Sequence, residues 1–128
     1  MTQTELGEYM KDIQSEIEDS YPGVSCVTNE FSNGYGRDRG WWINITNVTN
    51  SDKYGLKNVV QTISSRVDML FDLDLGLELI SGWIGDRSIR FTDWDQMKID
   101  MVDYRGWRSM EITIGKLQRK IKKFESFI

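Results

Sequence analysis

The side chains that could do chemistry in this sequence are carboxylates and one thiol, because the chain contains no histidine. Its own residues therefore cannot form Ser-His-Asp or Cys-His catalytic groups or imidazole metal sites. Cys26, the single cysteine, lies in a strand-like stretch where we expect a buried and unreactive thiol. The densest carboxylate group is Asp93, Asp95, Asp100 and Asp103. No second feature supports an acid pair or a metal site there, so we predict no enzyme activity, no metal and no cofactor.

Two segments imitate ligand-binding motifs but miss their requirements. Residues 34–40 read G-x-G-x-x-x-G, one residue longer than the dinucleotide fingerprint, and they lead into a strand instead of a helix. Residues 72–78 begin like a calcium loop, but the glycine comes one position early and the twelfth position has no glutamate. We therefore predict neither a nucleotide site nor a calcium site.

The residues that favour binding cluster around a glycine-rich loop. Residues 32–40 contain three glycines and three charged side chains, which predicts an exposed loop between two strands. Tyrosine, tryptophan and arginine are the residue types that contribute most strongly to protein interfaces. We therefore predict a partner-binding patch formed by Tyr35, Arg37, Arg39 and Trp42. The alternative is that the arginines pair with surface acids and that Trp42 packs under the terminal helix.

The segment 97–114 has two interpretations. With a turn at residues 105–106 its two arms pair with one continuous apolar face, so we favour a hairpin. The alternative is a helix at the start of this segment, because four residues lie at helical spacing: Trp94, Met97, Met101 and Tyr104. At the hairpin tip, Tyr104 and Trp107 form a second candidate for partner binding. The alternative is an aromatic pair that serves only the sheet.

Three amphipathic stripes predict helices. The first helix covers residues 2–20 and begins with a capping box between Thr2 and Glu5. The second, residues 56–71, has the clearest apolar stripe and should lie on the sheet as a structural element. The third begins at Leu117 and runs to the end of the chain, with basic residues around an apolar stripe.

Strand-like runs at residues 24–31 and 41–48 predict one hairpin, and runs at 77–84 and 87–94 predict another. With the favoured third hairpin, the order is α-β-β-α-β-β-β-β-α. The predicted fold class is α+β, a mainly antiparallel sheet of about four to six strands with three helices. A length of 128 residues fits a single domain, residues 1–128.

The net charge of −4 is unevenly distributed along the chain. Residues 1–30 carry seven acids and one base, whereas residues 115–128 carry five bases and one acid. The acidic first helix favours a partner with a basic surface. The basic end could contact the phosphates of a nucleic acid through Lys116, Arg119, Lys120, Lys122 and Lys123.

The first residues lack the basic start and apolar core of a signal peptide, and no apolar run approaches the roughly 18 residues that span a membrane. A lone cysteine also fits a reducing compartment. We therefore expect a cytoplasmic protein without membrane contact. The apolar stripe of the last helix could pack on this chain's own sheet or on that of a second copy, so a homodimer is possible.

Two functions fit this profile. The first is a small acidic, non-catalytic protein-binding module, an inhibitor or regulator of another protein, which contacts its partner through the glycine-rich loop or the acidic first helix. In size, charge and lack of catalytic residues, the chain is similar in kind to phage-encoded inhibitors, toxin-immunity proteins and small acidic secretion chaperones. The second is a nucleic-acid-binding protein whose loop aromatics stack on bases while its basic end contacts phosphates. A small acidic chaperone is a further alternative.

Overall fold

A computed structural model describes residues 1–33, 38–48, 56–89, 93–104 and 106–117. The helices are α1 (Gln3–Ser20), α2 (Leu56–Leu73) and α3 (Trp94–Asp103). The strands are β1 (Ser25–Ser32), β2 (Arg39–Thr46), β3 (Glu78–Ile84), β4 (Arg87–Ser88) and β5 (Met110–Lys116). They form one five-stranded antiparallel sheet in the spatial order β1-β2-β5-β3-β4. The predicted α+β class, with an antiparallel sheet and helices on one face, is confirmed.

Helix α1 begins where the sequence predicts it. Thr2 Oγ1 accepts a hydrogen bond from the backbone N–H of Glu5, and the Glu5 carboxylate accepts one from the Thr2 N–H, both at 3.1 Å. This capping box satisfies two N–H groups that the first turn leaves without helical partners. After the helix ends, the Tyr21 hydroxyl lies 2.6 Å from Thr62 Oγ1, which ties the end of α1 to α2.

Helix α2 confirms the predicted apolar stripe. Its buried side chains are Val59, Val60, Ile63, Val67 and Leu70. A helix of this kind packs its apolar side on the core and leaves its polar side in water. Helix α2 packs against both α1 and α3. At the contact with α3, the rings of Phe71 and Trp94 meet edge-on with their centroids 5.9 Å apart.

The first predicted hairpin is also confirmed. Strands β1 and β2 pair along their whole length, with Cys26 opposite Ile45. Successive side chains of a strand point to opposite faces of the sheet. On β2 the side that faces the helices is buried and consists of Trp41, Ile43 and Ile45. The other side is half-buried and consists of Trp42, Asn44 and Thr46.

The second predicted hairpin has the predicted register but a shorter second arm. Trp83 pairs with Ser88 and Ile84 pairs with Arg87, which places the turn at residues 85–86 as expected. Strand β4 contains two residues instead of the predicted eight. Strand β4 ends at Ser88, and Asp93 caps the next helix.

The predicted hairpin over residues 97–114 is wrong, and the helical alternative is correct for its first part. The Asp93 side chain accepts a hydrogen bond from the Asp95 N–H at 2.9 Å, and α3 follows. The side chains at helical spacing are buried: Trp94, Met97 and Met101. Strand β5 pairs with β2 and β3 instead of with the segment before it. This pairing buries Ile112 completely. In an isolated two-stranded hairpin the apolar face would be exposed to water unless another element packed on it.

The third described helix is therefore α3, which the favoured interpretation assigned to a strand. The predicted terminal helix lies outside the described residues, apart from Leu117 at its start.

Gly7 lets α1 approach the sheet closely. A Cβ atom at this position would overlap the indole ring of Trp41. The same indole donates a hydrogen bond from Nε1 to the Gln3 carbonyl at 2.9 Å, and the Lys11 ammonium lies 5.5 Å from the ring centroid. Trp41 thus packs under the first two turns of α1, and the missing side chain of Gly7 makes room for it.

We predict that Gly7→Ala destabilises the protein. Alanine is favoured over glycine in a helix by about 1 kcal/mol. Forcing the Trp41 ring out of its place should cost about 1–3 kcal/mol or more, because overpacked cores must shift side chains or backbone. Urea unfolding measures the difference, with Ser15→Ala on the exposed side of α1 as the control. If Gly7→Ala raises the free energy of unfolding as the control does, the close packing is wrong.

Candidate functional site on the open sheet face

The three described helices pack on one face of the sheet, and we call the other side the open face. The open face consists of alternate residues of the strands: Ser25, Val27, Asn29 and Phe31 on β1, Trp42, Asn44 and Thr46 on β2, Glu78, Ser81 and Trp83 on β3, Ser88 on β4, and Glu111 and Thr113 on β5. No helix from the described part of the chain covers these side chains.

The open face combines aromatic and small polar side chains. Val27 is 54% exposed and Trp83 is 44% exposed, while Phe31 and Trp42 are half-buried. Single exposed apolar residues are common on protein surfaces. Two exposed and two half-buried apolar side chains on one side of one sheet make this side a candidate binding surface.

The open face has carboxylates and no cation at its described positions. Glu111 lies on the central strand β5, and Glu78 lies near the start of β3. The described ranges provide no ion pair to Glu111. On the neighbouring strand, Asn44 Oδ1 is buried and has no hydrogen-bond partner among the described residues. At Glu111 and Asn44 the open face therefore has hydrogen-bond acceptors that the described side chains do not satisfy.

A depression of about 260 Å³ lies at one end of the open face. We call it the face pocket; it is lined by Asn44, Thr46, Trp83, Gly85, Ser109, Met110 and Glu111. The backbone N–H of Gly85 donates to the Ser109 carbonyl at 2.8 Å, which joins the β3–β4 turn to the start of β5 and closes this end.

The structure separates two members of the predicted partner-binding patch. Strand β2 begins at Arg39, so Arg39 and Trp42 have opposite parity and point to opposite faces of the sheet. Trp42 belongs to the open face, whereas Arg39 lines a cavity of about 380 Å³ beside the start of α1. Tyr35 and Arg37 lie outside the described residues. The patch as a whole stays a prediction.

Tyr104 and Trp107 do come close together, but at the end of α3 and not at a hairpin tip. Both line a cavity of about 550 Å³. Trp107 is buried and donates from Nε1 to the Met101 carbonyl at 3.0 Å. The Arg87 guanidinium lies 4.4 Å from the centroid of the half-buried Tyr104 ring. Their role in binding is still a prediction, and of the two Tyr104 offers more surface to a partner.

The basic set predicted to contact nucleic acid falls mostly outside the described residues. Its described member, Lys116, is already engaged: its Nζ lies 2.8 Å from Asp74 Oδ2 and 3.2 Å from the Met1 carbonyl. Asp74 also pairs with the Met1 amine at 3.0 Å and accepts a hydrogen bond from the Gly76 N–H at 2.9 Å. The Lys116 ammonium, the Gly76 N–H and the Met1 amine together hold the pKa of Asp74 well below its usual range.

The carboxylates at the start of α3 have structural roles. Asp93 caps the helix, Asp95 pairs with Lys98 at 3.4 Å, and the buried Asp100 accepts a hydrogen bond from Gln96 at 2.9 Å. Nowhere in the described ranges do three acidic or thiol side chains converge as metal ligands would. Cys26 is buried on the helix side of β1, and this burial, together with the Glu18 carboxylate, raises the pKa of its thiol to about 12.

Sequence reasoning missed the open-face residues Asn44, Trp83 and Glu111. Strand alternation could have placed Asn44 and Trp83 on the outer side of their hairpins. It could not have brought them together, because that depends on the position of β5 between the two hairpins.

None of the helices in the described ranges is both long and apolar enough to cross a membrane. No protein-family model, curated protein or solved structure matches this chain.

We predict that Asp74→Asn lowers stability most at neutral pH. A carboxyl whose pKa is lower in the folded than in the unfolded state stabilises the fold fully above its unfolded pKa, near 4, and loses this contribution as the pH falls toward the folded value. The difference in free energy of unfolding between wild type and variant should therefore shrink below about pH 4. Urea titrations across the acidic range measure it, with the exposed Asp72→Asn as control. If the difference in free energy of unfolding is the same at every pH, the ion pairs of Asp74 with Lys116 and the Met1 amine do not stabilise the fold.

We also predict that the Cys26 thiol is unreactive in the folded protein. The thiolate is the reactive form, and a pKa of about 12 leaves almost none of it near pH 8. Its reaction with a disulfide reagent should be at least about 100-fold slower than in concentrated guanidinium chloride, where the pKa returns to its usual value. Comparable rates in the two conditions would mean that Cys26 is accessible.

Proposed function

We propose that this protein is a small, non-catalytic protein-binding module, an inhibitor or regulator that holds its partner on the open face. The observation that carries this proposal is the exposure of Val27 and Trp83 on the side of the sheet opposite the described helices. Both belong to one row across four strands, with Asn44 and Glu111 between them, so this face offers apolar contacts next to polar ones. Apolar side chains exposed on a sheet face that no described helix covers support a binding role. Tryptophan and phenylalanine on such a surface supply much of the contact energy of an interface.

The charges of the open face favour a protein over a nucleic acid. The exposed aromatic rings could stack on bases, which is the observation in favour of nucleic-acid binding as a second function. Affinity for nucleic acid, however, comes largely from cations that neutralise phosphates. The described positions of the open face offer the carboxylate of Glu111 on the central strand instead, and this group repels phosphates. A protein partner with polar, apolar and basic groups fits better.

The acidic side of α1 is a separate surface. Five exposed carboxylates share one side of this helix at spacings of three or four residues: Glu5, Glu8, Asp12, Glu16 and Asp19. Helix α1 packs on the sheet with its apolar side, so this acidic side points away from the open face. A helix about 10 Å wide lies between the two, and charges are largely screened beyond about 8 Å at physiological salt. The acidic side therefore contributes little to docking on the open face.

A non-catalytic role is supported by the state of the reactive groups. The chain has no histidine, and its cysteine is buried with a raised pKa. A thiol in this state is a poor nucleophile. The carboxylates of Asp93, Asp95 and Asp100 take part in capping and contacts within their own helix.

We predict that Val27→Asp disrupts partner binding and that Met69→Asp does not. Val27 and Met69 are both 54% exposed, but Met69 is on α2, on the helix side of the molecule. An unpaired carboxylate buried in an interface should weaken binding by at least about tenfold. A partner is first isolated from a nuclease-treated lysate, and its affinity for wild type and both variants is then measured by calorimetry. Circular dichroism checks that both variants fold.

Three results would overturn the proposal. Equal affinities of Val27→Asp and wild type would remove the partner from the open face. Loss of all binding after nuclease treatment, with an affinity that falls steeply with salt, would favour the nucleic-acid function. A homodimer in light scattering that Val27→Asp dissociates would mean that a second copy of this chain occupies the open face.

A further inference from the structure

We propose that the face pocket receives the side chain of an arginine from the bound protein. This inference rests on the proposed function, because it identifies the chemical group by which the partner is anchored on the open face.

The pocket is built by one row of residues across three adjacent strands. Glu111 on β5 has Asn44 as its Cα partner on β2 and Trp83 as its Cα partner on β3. Side chains that lie directly opposite each other on neighbouring strands have Cβ atoms about 5 Å apart. The carboxylate of Glu111 therefore projects between the amide of Asn44 and the indole of Trp83, while Thr46 and Ser109 complete the rim.

These groups present acceptors that require a donor. The Glu111 carboxylate accepts hydrogen bonds and cannot donate when it is ionised. Asn44 Oδ1 is a second acceptor, buried and without a hydrogen-bond partner among the described residues. Among the residues that the structure describes, no lysine or arginine lines the pocket. Buried polar atoms are nearly always hydrogen-bonded. A rotation of the Asn44 side chain would bring this oxygen to the pocket surface, where an occupant with several N–H groups can donate to it and to Glu111.

The aromatic wall favours a positive and planar occupant. Trp83 is 44% exposed, so part of its indole surface is open to a partner. Cations are attracted to the face of an aromatic ring, most strongly to tryptophan. A guanidinium group can stack on the ring while its rigid fork of five N–H groups donates to a carboxylate and an amide oxygen. An ammonium group has fewer donors and cannot stack as a plane.

The size of the pocket suits one side chain. Its volume of about 260 Å³ is smaller than the roughly 300–1,000 Å³ of pockets for small organic ligands. Its described lining contains one carboxylate, fewer than a metal site of oxygen ligands needs, and this carboxylate repels anions. In the bound state Glu111 loses contact with water, so a partner without a cation at this point would leave a charge unpaired. The pocket thereby selects partners as well as holding them.

The test uses small probes that need no partner protein. N-acetyl-arginine methylamide is titrated into the isotopically labelled protein, and the NMR signals of the Trp83 indole N–H and the Asn44 amide are followed. The citrulline analogue has the same shape without the charge. We expect saturable shifts for the arginine probe, with a dissociation constant on the order of 1 mM, and at least about tenfold weaker binding for citrulline.

Matched variants assign the effect to the pocket. Glu111→Gln keeps the shape of the side chain and should weaken the arginine probe by about tenfold. Trp83→Leu should weaken it as well. Glu8→Gln removes an exposed carboxylate from α1 and should change nothing. Equal binding of arginine and citrulline, no shift at all, or no effect of Glu111→Gln would overturn the proposal. N-acetyl-lysine methylamide is titrated in the same way, and tighter binding of this probe than of the arginine probe would overturn the assignment to arginine.

The two proposals fail in different ways. If the probes do not bind but Val27→Asp still disrupts a protein complex, the assignment of the face pocket to an arginine side chain is wrong. The open face is then still the docking surface. If the arginine probe binds as expected but no protein docks on the open face, the pocket is a guanidinium-binding site, and both the proposed function and the origin of the arginine in a protein partner are wrong.

Discussion

The burial of Ile112 at the centre of the sheet determines where the other elements lie. Its Cα partners are Ile43 on β2 and Gly82 on β3, and its side chain has no contact with solvent. Gly82 has no side chain, and the sulfur of Met97 would lie 2.9 Å from a Cβ placed there. Helix α3 therefore packs directly over this point. Strand β5 thus lies between the two preceding hairpins and joins them into one sheet.

The same packing produces the candidate site. Because neighbours on a strand point to opposite faces, burying Ile112 turns Glu111 outward. The flanking strands bring Asn44 and Trp83 to its two sides. The face pocket is thus a consequence of how the core is filled on the other side of the sheet. A substitution that changed the register of β5 would lose the core and the pocket together, because a shift by one residue exchanges the two faces.

The two sides of the sheet have different chemistry for a physical reason. The core on the helix side is mostly apolar, from Trp41 under Gly7 to Met97 over Gly82, and these side chains are shielded from water. Such an environment keeps the Cys26 thiol protonated. The open face has to remain compatible with water in the unbound protein, so its aromatic side chains are interspersed with asparagine, threonine and glutamate. A mixture of this kind is compatible with the proposed role of this face as a reversible interface.

Much of the fold could be predicted from the sequence itself. The elements that were predicted correctly are determined by interactions between residues that are close together in the chain. The capping box of Thr2 and Glu5, the apolar stripe of α2, the alternation along β2 and the turn at residues 85–86 are all local patterns. Residues 97–114 were different, because a hairpin and a helix followed by a strand both satisfied the local pattern. The tertiary structure decided between them by giving β5 partners about 70 and 30 residues earlier in the chain. It likewise separated Arg39 from Trp42 and brought Asn44, Trp83 and Glu111 together. A sequence pattern identifies which faces are apolar, but hydrophobic burial is not directional, and only the packed structure decides which of those faces meet.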